Sequence, residues 1–193
     1  MARLEILVEE PSMALFLHSV LPGLLPENWT LGENVFVRKH QGKSDLRKSV
    51  PHKLQAFSHW HEPIGVLIMQ DQDSNDCKLL KKEWLTICNQ YPATLSLIRI
   101  VCRELESWYL GDMDAVQQAF PAFKVAAHKN KAKFRNPESC NAKDELRKIV
   151  PVYQEMDAAR RIAPYIDIEH NTSMSFRQFR IGLQKMIKTI EKK

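Results

Sequence analysis

Residues 64–69 constrain the fold more than any other part of this sequence. All of them except Gly65 are large and apolar, and the run has the length of a β-strand. A near-continuous apolar strand is typical of a parallel sheet that helices cover on both faces. We therefore predict that this segment forms the central strand of a parallel sheet.

Strands and helices are predicted to alternate along the chain around this segment. β-Branched and apolar residues predict further strands over residues 4–8, 34–38 and 95–100. Apolar residues at spacings of three and four predict helices over residues 13–21, 43–61 and 77–90. Pro51 predicts a kink or a break in the second of these helices. The alternation predicts an α/β fold, with a mostly parallel four-stranded sheet flanked by helices and a site at the carboxyl ends of the strands.

The composition changes near residue 120, which divides the predicted organisation into two parts. Residues 1–120 are predicted to form the α/β domain, and residues 121–193 a basic loop with a helical C-terminal extension that packs on the same domain. Residues 124–135 are rich in lysine and show little apolar periodicity, which is typical of a loop. Helices are predicted beyond it at residues 144–153, 157–166 and 175–190.

Two features argue against a membrane-bound or secreted protein. No apolar run approaches the roughly 20 residues that a membrane-spanning helix needs. Glutamates at positions 5, 9 and 10 interrupt the stretch that would be apolar in a signal peptide. We therefore expect a cytoplasmic protein with no membrane partner.

Acidic side chains follow two of the predicted strands. Glu9 comes directly after the first strand, and Asp71 and Asp73 come directly after the central one. Because the carboxyl ends of parallel strands share one edge of a sheet, these carboxylates are expected to converge. Mg²⁺ or Mn²⁺ is the predicted cofactor, since hard divalent cations prefer carboxylate oxygens. Two alternatives stay open: acidic residues also end strands and cap helices, and the histidines at 52, 59 and 61 leave zinc as a second choice.

This order of motifs resembles the Toprim (topoisomerase-primase) domain. That domain is shared by type IA and type II topoisomerases, bacterial primases, small RNA-maturing nucleases and overcoming-lysogenisation-defect nucleases, and the resemblance covers about the first 110 residues. Toprim domains usually carry Glu-Gly where this chain has Glu9-Glu10. A closer resemblance, over nearly the whole chain, is to a bacterial Toprim-like family sometimes encoded beside an ATPase. It rests on residues 7–12, 41–46, 70–73, 103–112 and 175–177.

The resemblance implies a metal-dependent phosphodiesterase or nuclease that acts on DNA or RNA. It implies that Glu9 is a metal ligand or a general acid/base, and that Asp71 and Asp73 hold Mg²⁺ or Mn²⁺. Glu104 and Glu106 are candidates for a second metal, with a solvated helix face or a partner for Arg103 as the alternatives. It also implies a partner ATPase and a role in anti-phage defence.

Two other functions remain open from the sequence. The chain could be a non-catalytic Toprim-like nucleic-acid-binding or regulatory subunit of an ATPase complex. A nucleotidyl transferase or phosphotransferase would use the same metal chemistry.

Basic residues supply the candidate nucleic-acid contacts. The net charge is +5, which favours a polyanionic partner. Lys43 lies in a glycine turn after the second strand, where it could receive phosphate oxygens during catalysis, although an exposed loop lysine is the alternative. The other predicted contacts, which could equally be solvated charges, are Lys129, Lys131, Lys133, Arg135, Arg177 and Arg180.

Overall fold

The computed structural model describes residues 2–192 and has the predicted α/β architecture. Its strands are β1 (Arg3–Val8), β2 (Val35–Lys39), β3 (Ile64–Asp71) and β4 (Leu95–Val101). Within the described residues they form one four-stranded sheet in the order β2-β1-β3-β4, and every neighbouring pair is parallel. The prediction of a parallel sheet with segment 64–69 in its interior is confirmed.

Helices follow each strand. Three of them connect the strands in turn: α1 (Pro11–Val20), α2 (Lys43–Ser58) and α3 (Cys77–Cys88). The chain then continues through α4 (Glu106–Leu110), α5 (Met113–Ala119), α6 (Val125–His128), α7 (Ala142–Ile149), α8 (Glu155–Ile162) and α9 (Met174–Ile190). None of the helices in the described part of the chain has both the length and the apolar character needed to cross a membrane.

Both faces of β3 are buried, which explains its continuous apolar sequence. Leu67 and Met69 belong to a core that includes residues of α1 and α9. Val66 and Ile68 point to the opposite face, where they pack with residues of α2 and α3. Each such buried side chain contributes about 1.5–3 kcal/mol to the free energy of folding. The sheet is therefore a middle layer that holds its strand ends in fixed positions.

The strand order creates a topological switch point between β1 and β3. From β1 the chain passes through α1 to β2 on one side, and from β3 it passes through α3 to β4 on the other. Connections that leave in opposite directions open a crevice at the carboxyl ends of the two strands, where α/β proteins bind ligands. Glu9 directly follows β1 and Asp71 ends β3, so both lie at this crevice.

Of the two outcomes predicted for Pro51, the break in the helix is absent, and the prediction of a loop for the basic segment was wrong. Pro51 lies inside α2 without ending it, because Val50 and Leu54 are fully buried against the sheet and tertiary packing holds the helix together. The basic segment 124–135, predicted to be a loop, contains α6 and a 3-10 turn at Ala132–Phe134. The turn is anchored by the buried ring of Phe134.

Gly111 directly follows α4 and packs against residues 171–173, just before α9. We expect Gly111→Ala to destabilise the fold. A Cβ atom there would lie 2.2 Å from Asn171 Oδ1 and 2.9 Å from the backbone nitrogen of Ser173. Asn171 is itself held in place, since its Nδ2 donates to the carbonyl oxygen of Trp108 at 2.8 Å. Overpacking of this kind should lower the free energy of unfolding by about 1–3 kcal/mol, as measured by urea denaturation.

Gly23→Ala is the matched control for this substitution. Its Cβ atom would approach only the flexible end of Ile168, at 3.2 Å, so we expect a change within about 0.5 kcal/mol. Equal stability of the two variants would show that the Asn171 contact is not rigid.

Candidate metal centre

Glu9 and Asp71 lie side by side at the switch point. The backbone N–H of Asp71 donates to Glu9 Oε2 at 3.2 Å, and the exposed fractions of the two residues are only 4% and 6%. Strand pairing brings them together, because Val8 of β1 is the register partner of Met69 of β3. The predicted convergence of these two residues is therefore present in the structure.

Lys43 reaches the same edge through a glycine turn. Gly42 has a φ angle of 90°, a conformation that favours glycine, and its N–H donates to the carbonyl oxygen of Glu9 at 2.9 Å. This bond fixes the start of α2 beside the end of β1. Lys43 is the first residue of α2, and its ammonium group forms an ion pair with Asp73.

Asp73 lies on the exposed side of the site. Its backbone has a φ angle of 50°, which is unusual for a residue other than glycine, and its N–H donates to the carbonyl oxygen of Arg103 at 2.7 Å. The side chain is 44% exposed and bound to Lys43. Asp73 therefore belongs to the same site but is not buried with Glu9 and Asp71.

Glu106 is a third buried carboxylate behind Asp71. It is the first residue of α4, has an exposed fraction of 3%, and accepts a hydrogen bond from the hydroxyl of Tyr153 at 2.8 Å. The Tyr109 hydroxyl is also buried and has no hydrogen-bond partner within residues 2–192. Its pKa is raised by burial first and by the charges of Glu106 and Asp71 next. A buried acidic cluster, which we define as Glu9, Asp71 and Glu106, thus lies at the crevice.

Burial and mutual repulsion make these carboxylates hard to ionise. Burial, only partly offset by Lys43, raises the pKa of Glu9 to about 7. Burial raises the pKa of Glu106 to about 7 as well, although Lys143 and Tyr153 lower it. The pKa of Asp71 lies well above its usual range, because of burial first and the charges of Glu106 and Glu9 next.

Glu104 has a different environment from Glu106. Its Oε1 atom accepts a hydrogen bond from the backbone N–H of Lys143 at 2.7 Å, which ties it to the start of α7. Only Glu106 of this pair belongs to the buried acidic cluster.

The buried acidic cluster suits a divalent cation in part. Asp71 Oδ1 is buried and has no hydrogen-bond partner within the described chain, so it is free to bind a cation. Mg²⁺ is commonly held by one or two carboxylates and keeps several waters, which Glu9 and Asp71 could satisfy. No group of three His, Cys, Asp or Glu side chains in residues 2–192 is arranged to hold a metal ion. Asp73, the third predicted ligand, is instead paired with Lys43.

The other predicted nucleic-acid contacts lie in varied surroundings. Lys129 and Arg135 line one cavity of about 370 Å³. Lys133 pairs with Glu145 of α7, Lys131 Nζ lies 3.4 Å from His128 Nδ1, and Arg180 pairs with Glu169. Arg177 is exposed on α9.

The apolar residues of α9 are buried, as their spacing predicted; they include Phe176, Phe179 and Leu183.

Three residues of this region were not singled out as site residues from the sequence. Tyr109 follows Glu106 by three positions in one helix, a spacing that could have indicated a shared face. Lys143, on α7, and Tyr153, between α7 and α8, lie far from Glu106 in the sequence and approach it only in the tertiary structure. No local pattern marks them.

These features define an α/β protein with a buried acidic cluster at the switch point of a parallel sheet. The chain belongs to the family described as Domain of unknown function (DUF4276), which matches residues 8–184. The matched range contains Glu9, the whole of β3 and Glu106. No curated protein and no solved structure matches the chain.

Proposed function

We propose that the protein is a Mg²⁺- or Mn²⁺-dependent phosphodiesterase of the Toprim type that cleaves DNA or RNA. One observation carries the proposal: buried carboxylates converge at the switch point, and the buried Oδ1 atom of Asp71 has no hydrogen-bond partner among residues 2–192. An unpaired buried oxygen beside two further carboxylates costs free energy that a bound cation would offset. Buried groups of this kind cluster at functional sites.

The residues divide into those that would hold the metal and those that would hold the substrate. Glu9 and Asp71 would bind the cation, with Asp73 joining them once it leaves Lys43. The cation would supply activation of water and stabilisation of the charge on the phosphate and leaving oxygens. Lys43, freed from Asp73, would orient a phosphate oxygen at the start of α2.

The cellular context of the proposal rests on the resemblance to Toprim-like families. We infer a cytoplasmic effector of anti-phage defence that works with a partner ATPase. Nucleic acid is the proposed substrate and partner, which the net charge of +5 favours.

A second candidate is a non-catalytic Toprim-like subunit of an ATPase complex. It is favoured by the ion pair between Asp73 and Lys43, which occupies one predicted metal ligand. Such a subunit would bind nucleic acid without cleaving it.

Cleavage assays on purified protein separate the two candidates. Plasmid DNA, single-stranded DNA and bulk transfer RNA would be incubated with Mg²⁺ or Mn²⁺, and in parallel with EDTA. The phosphodiesterase proposal expects one of these substrates to be cleaved in the presence of metal and none in EDTA. Binding without cleavage, alone and with ATP and a co-purified ATPase, would favour the non-catalytic subunit.

A further inference from the structure

A cavity of about 380 Å³ opens beside Asp73, the exposed member of the candidate metal centre. Asp73, Arg103, Glu104, Lys143 and Asp144 all line it. We propose that this cavity binds a phosphate group of the nucleic-acid substrate and that Arg103 is its main ligand. The inference rests on the proposed function, because it takes the reacting phosphate to be at the neighbouring carboxylates.

The backbone of Arg103 is held in an unfavourable conformation at the edge of the cavity. Its φ angle of 63° is in the left-handed region, as is that of Asp73 opposite. Two hydrogen bonds fix it: its carbonyl oxygen accepts from the N–H of Asp73 at 2.7 Å, and its N–H donates to Gln72 Oε1 at 3.2 Å. Non-glycine residues in this region are concentrated at ligand and active sites. The loops after β3 and β4 are thereby locked together around the cavity.

The carboxylates in the cavity are each engaged by a neighbouring group. Asp73 pairs with Lys43, and Glu104 accepts from the backbone N–H of Lys143 at 2.7 Å. The Oδ1 atom of Asp144 lies 3.8 Å from Nη1 of Arg147, three residues further along α7. In the metal-free protein these contacts reduce the repulsion that an incoming anion would meet.

The guanidinium group of Arg103 is the uncommitted cation of this cavity. Arg103 is exposed, and its side chain forms no hydrogen bond or ion pair with any residue from 2 to 192. Lys143, by contrast, already pairs with Glu155 at 3.2 Å. A free guanidinium presents paired N–H donors that match two phosphate oxygens, which favours a phosphate ligand.

The size and place of the cavity fit one unit of a nucleic-acid chain. Its volume lies near the lower end of the roughly 300–1,000 Å³ usual for ligand pockets. Asp73 belongs both to the candidate metal centre and to the lining of the cavity, so a chain could place one phosphate at the carboxylates and the next at Arg103. The cavity would thus select for an oligonucleotide over a simple phosphate monoester.

Salt-dependent binding of a short single-stranded oligonucleotide tests this proposal. Fluorescence anisotropy in EDTA would compare the wild type with Arg103→Ala, Arg103→Lys and Arg160→Ala. Arg160 is an exposed arginine on α8 and serves as the matched control. We expect Arg103→Ala to weaken binding about tenfold and to reduce the slope of log Kd against log salt by about 0.7, the value for one phosphate contact on a single strand. Arg103→Lys should keep the slope, and Arg160→Ala should change neither quantity.

Arg103→Gly separates loss of the guanidinium from damage to the loop. Glycine adopts a φ angle of 63° without strain, so this variant should unfold at or above the wild-type temperature and still bind as weakly as Arg103→Ala. An unchanged slope in both variants would overturn the phosphate site, and so would a wild type that does not bind the oligonucleotide. If binding depends on Arg103 while no substrate is cleaved with metal, the phosphate site stands and the proposed phosphodiesterase activity fails.

Discussion

Asp71→Asn should abolish metal-dependent cleavage and, in EDTA, should unfold at a higher temperature than the wild type. Asp71 is buried among carboxylates, and its Oδ1 atom has no hydrogen-bond partner in the described part of the chain. The amide removes an ionisable group from a site where like charges repel, while keeping its shape. We expect a gain of about 1 kcal/mol in the free energy of unfolding at neutral pH, because a carboxyl group whose pKa is raised by folding destabilises the folded state above its unfolded-state pKa. Activity should fall at least about 100-fold, as for the loss of a group that stabilises transition-state charge.

Thermal unfolding with and without Mn²⁺ provides the measurement. Saturating Mn²⁺ should stabilise the wild type, by about 2.7 kcal/mol at one hundred times the Kd, and should leave Asp71→Asn unchanged. Asp114→Asn is the matched control. It makes the same substitution at an exposed position of α5, outside the buried acidic cluster. A variant less stable than the wild type in EDTA would instead make Asp71 a structural residue.

The sequence was sufficient to predict the part of the site that depends on parallel strands sharing one edge of the sheet. Segment 64–69 is apolar on both faces because β3 is interior, and that pattern is visible without coordinates. Once β1 and β3 are parallel neighbours, the residues that follow them must share an edge, so Glu9 and Asp71 meet. Regular periodicity and topology carry this information.

The rest of the site depends on side-chain and loop geometry that no periodic pattern encodes. The left-handed backbone of Asp73 turns its side chain to Lys43 rather than to Asp71. Tyr153, which lies between α7 and α8, donates a hydrogen bond to Glu106 across 47 positions of sequence. The basic segment shows little apolar periodicity because the two residues that anchor it, Val125 and Phe134, lie far apart in it. Tertiary contacts of single residues decide each of these features.

Lys43→Met should bind metal more tightly and cleave more slowly than the wild type. Burial lowers the pKa of Lys43, but the hydrogen bond to Asp73 and the charges of Asp73, Glu9 and Asp71 outweigh it, so the pKa is raised. The ammonium group is therefore an internal cation that competes with a metal ion for the same carboxylates. Its side chain is 36% exposed, which limits the competition to about 1 kcal/mol, or about fivefold in the Kd for Mn²⁺. Loss of its contact to the substrate phosphate should slow cleavage about 100-fold.

Calorimetric titration with Mn²⁺ and single-turnover cleavage would measure the two effects separately. Lys48→Met makes the same substitution at an exposed position of the same helix and should alter neither quantity. If Lys43→Met raises the metal affinity and lowers the activity, then Lys43 competes with the cation in the metal-free protein and contacts the substrate in the complex. If both fell together, Lys43 would be needed to assemble the carboxylates, and the ion pair with Asp73 would be part of the active arrangement rather than a contact that metal binding breaks.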